Sequence, residues 1–250
     1  MIKIRSRDEI DLIRESGRIV AQALDLAGEL IAAGVTTAEL DTELERYIRG
    51  QGGTPEFKGF HGYPAAICAS INEEVVHGIP GERALRNGDI IGIDVGVRKK
   101  GYIADGARTF GVGGLLEGSE KLLRVTREAL DIALETVGEG VRLSDVSHAI
   151  QDKAESEGFS IVRELAGHGV GTELHEPPEI PNYGVPGRGP ILRAGMILAI
   201  EPMINAGRPG VETLEDNWTV VTVDRHRSAH FEHTVAVTRN GADVLTKADA

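Results

Sequence analysis

The segment AGHGVGTELHEPP, residues 166–178, places His168 and His175 seven positions apart in a run rich in glycine. On a helix the two rings would share a face, but the glycines argue against a helix. On a strand, an odd separation would point the rings to opposite faces. On an irregular loop, they would lie on separate segments. The last two arrangements both predict different roles for the two imidazoles, such as a metal ligand and a substrate contact.

Four carboxylates stand at the ends of, or within, predicted strands. GDIIGID ends at Asp94 and GMILAIE ends at Glu201, and each is an apolar run typical of a strand buried on both faces. A second strand region after each run carries one further acid, Asp105 in GYIADGARTF and Glu232 in AHFEHTVAV. The four acids therefore occupy matching places along the chain.

An internal repeat must position these acids. Residues 22–52 align with residues 128–158, and each copy predicts an amphipathic helix, a Gly-Val end and a second helix. The expected capping residue of the second helix is Thr36 or Thr37 in the first copy and Ser144 in the other.

Two such halves packed about a pseudo-twofold axis would bring the four carboxylates together. Carboxylates that meet in a low-dielectric site repel one another, and bound cations are the ordinary remedy. Two divalent ions would balance four carboxylates, and a neutral imidazole would complete an oxygen-rich site. That ligand set favours Mn, Fe, Co or Zn, and a two-metal site of this kind can activate water and polarise a carbonyl.

The chain resembles the type I methionine aminopeptidases essentially from end to end. The resemblance is carried by SINEEVVHGIP, GDIIGIDVG, the acid in GYIADGARTF, GHGVGTELHEPP, GMILAIEPM and FEHTVAVT. It implies an α/β (α+β) pita-bread fold with one catalytic domain over residues 1–250. The pseudo-repeat halves are expected at roughly 8–113 and 114–240.

The resemblance also implies roles for particular residues. Glu201 is expected to serve as general base, while His175 contacts the scissile carbonyl and His77 lies near the scissile amide. The apolar pocket for the N-terminal methionine is expected at Tyr63, Cys68 and Trp218. Two divalent metal ions, whose bridging water or hydroxide attacks the substrate, are expected on five ligands, namely Asp94, Asp105, His168, Glu201 and Glu232.

Two positions depart from the family's usual pattern. Many members have Gly-Asp-Thr-Ser around the second aspartate, where this chain has Ala104-Asp105-Gly106-Ala107. Many have phenylalanine before the second histidine, where this chain has Leu174. The first change removes a hydroxyl near a metal ligand, which predicts an effect on metal affinity. The second predicts a wider or less aromatic pocket.

Charge and cysteine content limit the classes of partner and the cellular compartment that the sequence predicts. The chain has 39 acidic and 27 basic residues, a formal net charge of -12, which argues against nucleic acid or an anionic membrane as main partner. The lone cysteine, Cys68, excludes an intrachain disulfide and favours a reducing compartment. The N-terminus has no apolar signal region, and no run approaches the ~18 apolar residues of a membrane span. A cytoplasmic monomer is expected.

The expected substrates are N-terminal methionyl peptides of nascent chains, with the ribosome exit region as a partner and neither DNA nor membrane. Two alternatives remain open at this point. The first is an Xaa-Pro aminopeptidase or prolidase of the same fold, although such relatives usually carry a large N-terminal domain. The second is a binding module on this fold that has lost catalysis, although such modules typically lose metal ligands.

Overall fold

The computed structural model describes residues 1–247 and contains four long helices. Their bounds are α1 (Arg7–Leu30), α2 (Thr37–Gly50), α3 (Glu117–Thr136) and α4 (Leu143–Ser156), with a short 3-10 turn at Phe60–Gly62. None of the helices within residues 1–247 has a stretch long and apolar enough to cross a membrane.

Fifteen short or medium strands form four sheets in the described part of the chain. Their bounds are β1 (Thr54–Pro55), β2 (Cys68–Ile71), β3 (Glu74–Val76), β4 (Ile90–Lys99), β5 (Tyr102–Gly111), β6 (Ser160–Ile161), β7 (Ala166–Gly169), β8 (Glu176–Pro181), β9 (Ile197–Ile200), β10 (Met203–Asn205), β11 (Val211–Thr213), β12 (Val220–Thr222), β13 (Ser228–His230), β14 (His233–Thr238) and β15 (Gly241–Val244).

Two sheets carry the predicted site residues. In the first, β4 pairs with β5 along one edge and with β1 and β2 along the other, all antiparallel. In the second, the strand order is β15-β14-β9-β7-β8, again antiparallel. The remaining two sheets have the orders β13-β10-β6 and β11-β12-β3.

The helices cover these sheets with apolar faces. One buried cluster joins side chains of α1 and α2, such as Leu24 and Leu44, to Ile93 of β4. A second cluster joins α3 and α4 to β9, including Leu130 and Leu198. Burial of such aliphatic side chains is the main favourable contribution to folding.

The helix starts test the capping expectations. Thr36 caps α2, because its hydroxyl accepts from the Glu39 N–H while the Glu39 carboxylate accepts from the Thr36 N–H. Ser144 as the matching cap is wrong, since α4 already begins at Leu143. The Ser144 hydroxyl instead donates to the Arg188 carbonyl at 2.6 Å, because the segment around residue 188 crosses the first turn of α4.

Candidate metal centre and substrate pocket

The four predicted carboxylates come from two strand pairs that meet edge to edge. Asp94 lies on β4 and Asp105 on β5, while Glu201 directly follows β9 and Glu232 directly precedes β14. The Glu232 N–H donates to the Ala107 carbonyl at 2.9 Å, which ties β5 to the second sheet. The structure thus brings all four acids to one place.

Asp105 is held by groups from both strand pairs. Its N–H donates to the Thr234 hydroxyl at 2.9 Å, and that hydroxyl donates in turn to the Asp105 carbonyl at 2.7 Å. The Gly106 N–H lies 3.0 Å from Asp105 Oδ1 and donates to it. A backbone donor therefore occupies one oxygen of the Asp105 carboxylate.

His168 faces the carboxylates with one ring nitrogen. Its Nδ1 lies 3.0 Å from the Gly169 carbonyl, which can only accept, so Nδ1 carries the proton. Its Nε2 then has a free lone pair and lies 3.5 Å from Glu201 Oε1 and 4.0 Å from Asp105 Oδ2. This tautomer presents Nε2 as a ligand atom.

The glycines around His168 are explained by the position of β7 between two other strands. A Cβ on Gly167 would lie 2.4 Å from the Ala199 carbonyl oxygen of β9. A Cβ on Gly169 would lie 2.4 Å from the carbonyl oxygen of Pro177 on β8. Glycine is required here because neighbouring backbones approach closely.

The free carboxylates are destabilised where they lie. Burial, and next the charge of Glu201, raises the pKa of Asp105 to about 7. Burial raises the pKa of Glu201 to about 8. Burial and the neighbouring acids raise the pKa of Asp94 and of Glu232 well above the usual range. A nearby positive charge would offset this cost.

The donor set fits divalent metal ions. Asp94 Oδ1 and Glu232 Oε1 are buried and have no hydrogen-bond partner. One ligand atom each from Asp105, His168 and Glu232 lies within 4.8 Å of the others. Buried carboxylate oxygens with open lone pairs beside a neutral imidazole nitrogen are the ligands of Mn, Fe, Co and Zn sites.

The second histidine lies beside the first. His175 stands in the turn just before β8, and its ring centroid is 4.4 Å from that of His168, edge to face. The opposite-face arrangement is wrong, because the two histidines do not share a strand: His168 lies on β7 and His175 lies in the turn between β7 and β8. His175 also contacts the ring of Phe60 at 5.4 Å, and burial lowers its pKa.

A cavity of about 100 Å³ joins the acids to an apolar pocket. The ring of Tyr63 stacks edge to face on Trp218 at 5.0 Å, and the Tyr63 hydroxyl donates to the Gly78 carbonyl at 2.9 Å. Cys68 and Leu174 are buried in the same wall. Phe57, Phe60 and Leu174 line this cavity. All ten predicted site residues line it as well, namely Tyr63, Cys68, His77, Asp94, Asp105, His168, His175, Glu201, Trp218 and Glu232.

Comparison with known proteins decides the family. The model of metallopeptidase family M24 matches residues 11–239. Methionine aminopeptidase 1 of Bacillus subtilis is 53% identical over 99% of this chain and 100% of the relative. Methionine aminopeptidase 1 of Mycobacterium tuberculosis is 46% identical over 97% of this chain and 94% of the relative. This chain belongs to metallopeptidase family M24.

Solved structures of M24 peptidases agree with this membership. A methionine aminopeptidase from Thermotoga maritima superposes with a TM-score of 0.98 at 48% identity, over 99% of this chain and 100% of that one. A prolidase from Pyrococcus horikoshii superposes with a TM-score of 0.79 at 24% identity and shares the fold. The match covers 98% of this chain and 64% of the prolidase. The predicted α/β pita-bread fold and the resemblance to the methionine aminopeptidases are confirmed.

One residue of this M24 site was given no role by the sequence. His230 is buried, and its Nε2 has no hydrogen-bond partner and lies 3.4 Å from Glu201 Oε2. Its backbone is held by Thr109, whose hydroxyl donates to the His230 carbonyl at 2.8 Å. The alternation of His230 with Glu232 could have placed both on one face, because every second residue of an extended segment points the same way.

Phe57 and Phe60 were also missed. Phe57 lies in the loop after β1 and Phe60 begins the 3-10 turn before Tyr63, a region with no apolar periodicity, and both line the cavity of this M24 peptidase. They add aromatic surface to the cavity that Leu174 also lines, which the sequence predicted to be wider or less aromatic.

Proposed function

We propose that this chain removes the N-terminal methionine from polypeptides whose second residue is small. The observation that carries the proposal is a single cavity that joins an apolar pocket to a cluster of buried carboxylates and histidines. A thioether packs well against aromatic rings and a thiol, which Tyr63, Trp218 and Cys68 provide. The names of the relatives, methionine aminopeptidases, agree with this substrate.

We propose Asp94, Asp105, His168, Glu201 and Glu232 as the ligands of two divalent metal ions. When bound, such ions would supply Lewis-acid activation of a water molecule and of the scissile carbonyl. Their identity is Mn, Fe, Co or Zn by ligand chemistry.

The remaining chemistry falls to side chains of the cavity. Glu201 would take up the proton of the attacking water on a carboxylate oxygen and return it to the leaving amine. His175 would donate a hydrogen bond to the scissile carbonyl. His77, whose pKa burial lowers to about 4, is neutral at pH 7 and would accept from the scissile amide or the new amine.

We also propose that the protein acts as a cytoplasmic monomer on nascent chains near the ribosome exit. The division into pseudo-repeat halves at roughly 8–113 and 114–240 remains part of this proposal.

The test is release of free methionine from Met-Ala-Ser by metal-stripped protein that is titrated with Mn, Co, Fe and Zn. Ala-Pro-Ser is the control substrate. Metal-dependent cleavage of Met-Ala-Ser alone is expected. Cleavage of Ala-Pro-Ser alone would assign the protein to the Xaa-Pro peptidases, and silence with every metal from folded protein would overturn the enzymatic proposal.

A further inference from the structure

The outer face of β8 forms a row that leads away from the active site. Along this strand His175, Pro177 and Glu179 are exposed, while the residues between them are buried. The alternation continues to Pro181 and Tyr183, which are half-buried. All five of these residues line one surface cavity.

A second wall faces this row. It consists of residues 163–165, which precede β7, and its Arg163 guanidinium lies over the ring of Tyr183 at 4.7 Å. The two walls enclose a groove of about 550 Å³. His168 and His175 line both this groove and the active-site cavity, so the two spaces adjoin at these two rings. We call the groove the exit groove.

The polypeptide substrate must leave the cavity by an open path. Its first side chain would occupy the closed apolar pocket, while every later residue must extend toward solvent. The exit groove begins at His175, the group proposed to contact the scissile carbonyl. From residue 175 to 181 the strand spans about 20 Å, which is room for roughly six extended residues.

We propose that the exit groove binds the substrate residues that follow the scissile bond, in an extended conformation. This inference rests on the proposed function and adds recognition of a longer segment of the substrate to it. Pro177, Pro181 and Tyr183 offer a rigid apolar track, which binds an extended chain at low entropic cost.

The charges of the groove favour basic over acidic substrate residues. Glu164 and Glu179 are exposed carboxylates on its two walls. The one lining cation among the described residues, Arg163, already stacks on Tyr183 and lies 3.5 Å from Glu155. A lysine at the fourth or later substrate position would therefore meet uncompensated negative charge.

The experiment compares kcat and KM for three peptides with the metal-loaded protein. They are Met-Ala-Ser, Met-Ala-Ser-Ala-Lys-Ala-Lys-Ala and the same octapeptide with glutamate in place of lysine. We expect the lysine octapeptide to show a KM lower than that of the tripeptide by about fivefold, with kcat little changed. The KM of the glutamate octapeptide should fall by about twofold or less relative to the tripeptide, because Glu164 and Glu179 repel its carboxylates. The contrast between the two octapeptides is only a few-fold, because interactions between exposed charges are weak.

Substitutions in the exit groove test whether the dependence of KM on peptide length and charge arises there, and matched substitutions elsewhere control for general effects on the protein. Tyr183→Ala should reduce the gain from chain length, while Tyr47→Ala on α2 serves as its matched control. Glu179→Gln should reduce the preference for lysine over glutamate, while Glu135→Gln, exposed on α3, removes the same charge far away. If Tyr183→Ala fails to fold, Glu179→Gln at an exposed position still tests whether the exit groove sets the preference for lysine over glutamate.

The outcomes are distinct. Equal KM values for the tripeptide and both octapeptides would overturn the exit groove while the proposed function stands. A length gain that Tyr183→Ala and Glu179→Gln leave intact would also overturn it. If Met-Ala-Ser and both octapeptides stay uncut, the proposed function fails and the exit groove falls with it.

Discussion

Asp105 lies on β5, and the Thr234 hydroxyl of β14 bonds both its N–H and its carbonyl, so this residue is tied to both strand pairs. Asp105→Asn keeps the shape of the side chain but removes one negative charge from the ligand cluster. We expect methionine release to fall by about a hundredfold or more, since even residues behind the ligands cost up to that factor. Calorimetric titration with Mn should show weaker binding, while thermal stability without metal should be kept or raised.

Asp131→Asn is the matched control for that substitution. Asp131 is exposed on α3, and its replacement should leave both metal binding and methionine release unchanged. Full activity in the Asp105 variant would remove this residue from the proposed ligand set.

Cys68 is expected to be chemically quiet in the native protein. Its side chain is 4% exposed, and burial raises the pKa of its thiol, so the reactive thiolate is scarce at neutral pH. Iodoacetamide at pH 7.5 should leave the folded protein unlabelled while labelling it in 6 M urea, as read by mass spectrometry. Rapid labelling of folded protein would show that the pocket opens to solvent far more than its geometry implies.

The hairpin of β7 and β8 shows where sequence reasoning succeeds and where it stops. The meeting of the four acids was predictable because Asp94 and Glu201 end strongly apolar runs in a repeated pattern. The meeting of His168 and His175 was not, because the hairpin register depends on Gly167 and Gly169 approaching other backbones. The start of α4 was missed for a similar reason, since the Ser144 hydroxyl is bound by a distant segment.

The same hairpin is anchored by a buried carboxylate next to His175. Glu176 is 7% exposed and accepts from Arg5 Nη2 at 2.7 Å, Lys3 Nζ at 2.9 Å and the Thr172 N–H at 3.0 Å. Burial alone would raise its pKa, but these donors outweigh burial and lower the pKa to about 2. The N-terminal segment thus holds the turn that carries the second histidine.

Glu176→Gln should destabilise the protein by about 2 kcal/mol at pH 7, because hydrogen bonds to a charged group are lost. The folded pKa lies below the ordinary 4.5, so this stabilisation is present above pH 4.5 and is lost as pH falls toward 2. Urea unfolding at pH 7 and pH 3 should therefore show a smaller difference at the lower pH. Glu179→Gln, on the exposed face of β8, should show little loss at either pH.

The two strand pairs that meet at the site each contribute two buried carboxylates, which repel one another when they are ionised. Asp94 and Asp105 come from one pair, while Glu201 and Glu232 come from the other, and all four are buried. Thr234 of β14 joins the two pairs through hydrogen bonds with the backbone of Asp105 on β5. Thr109 of β5 likewise bonds the backbone of His230 on β13. Metal binding should therefore stabilise the entire chain, because it neutralises the charges where the two sheets that carry these acids meet.

This coupling predicts a metal effect that depends on pH. The pKa of Asp105 rises from 3.8 to about 7 and that of Glu201 from 4.5 to about 8, so the metal-free fold prefers their protonated forms. These carboxyls contribute stability below about pH 4, and it is lost as pH rises toward their folded values. Because metal must displace those protons, Mn should raise the melting temperature by roughly 5 °C or more at pH 8.

At pH 5 the same addition of Mn should raise the melting temperature far less, because protons compete for the ligand oxygens. Scanning fluorimetry in EDTA and in Mn at pH 5, 6, 7 and 8 measures this difference. The Asp105→Asn variant should show a smaller Mn effect at pH 8, since one ligand charge is missing. An increase in melting temperature that is equal at pH 5 and pH 8 would mean that Mn binds elsewhere than on these buried acids.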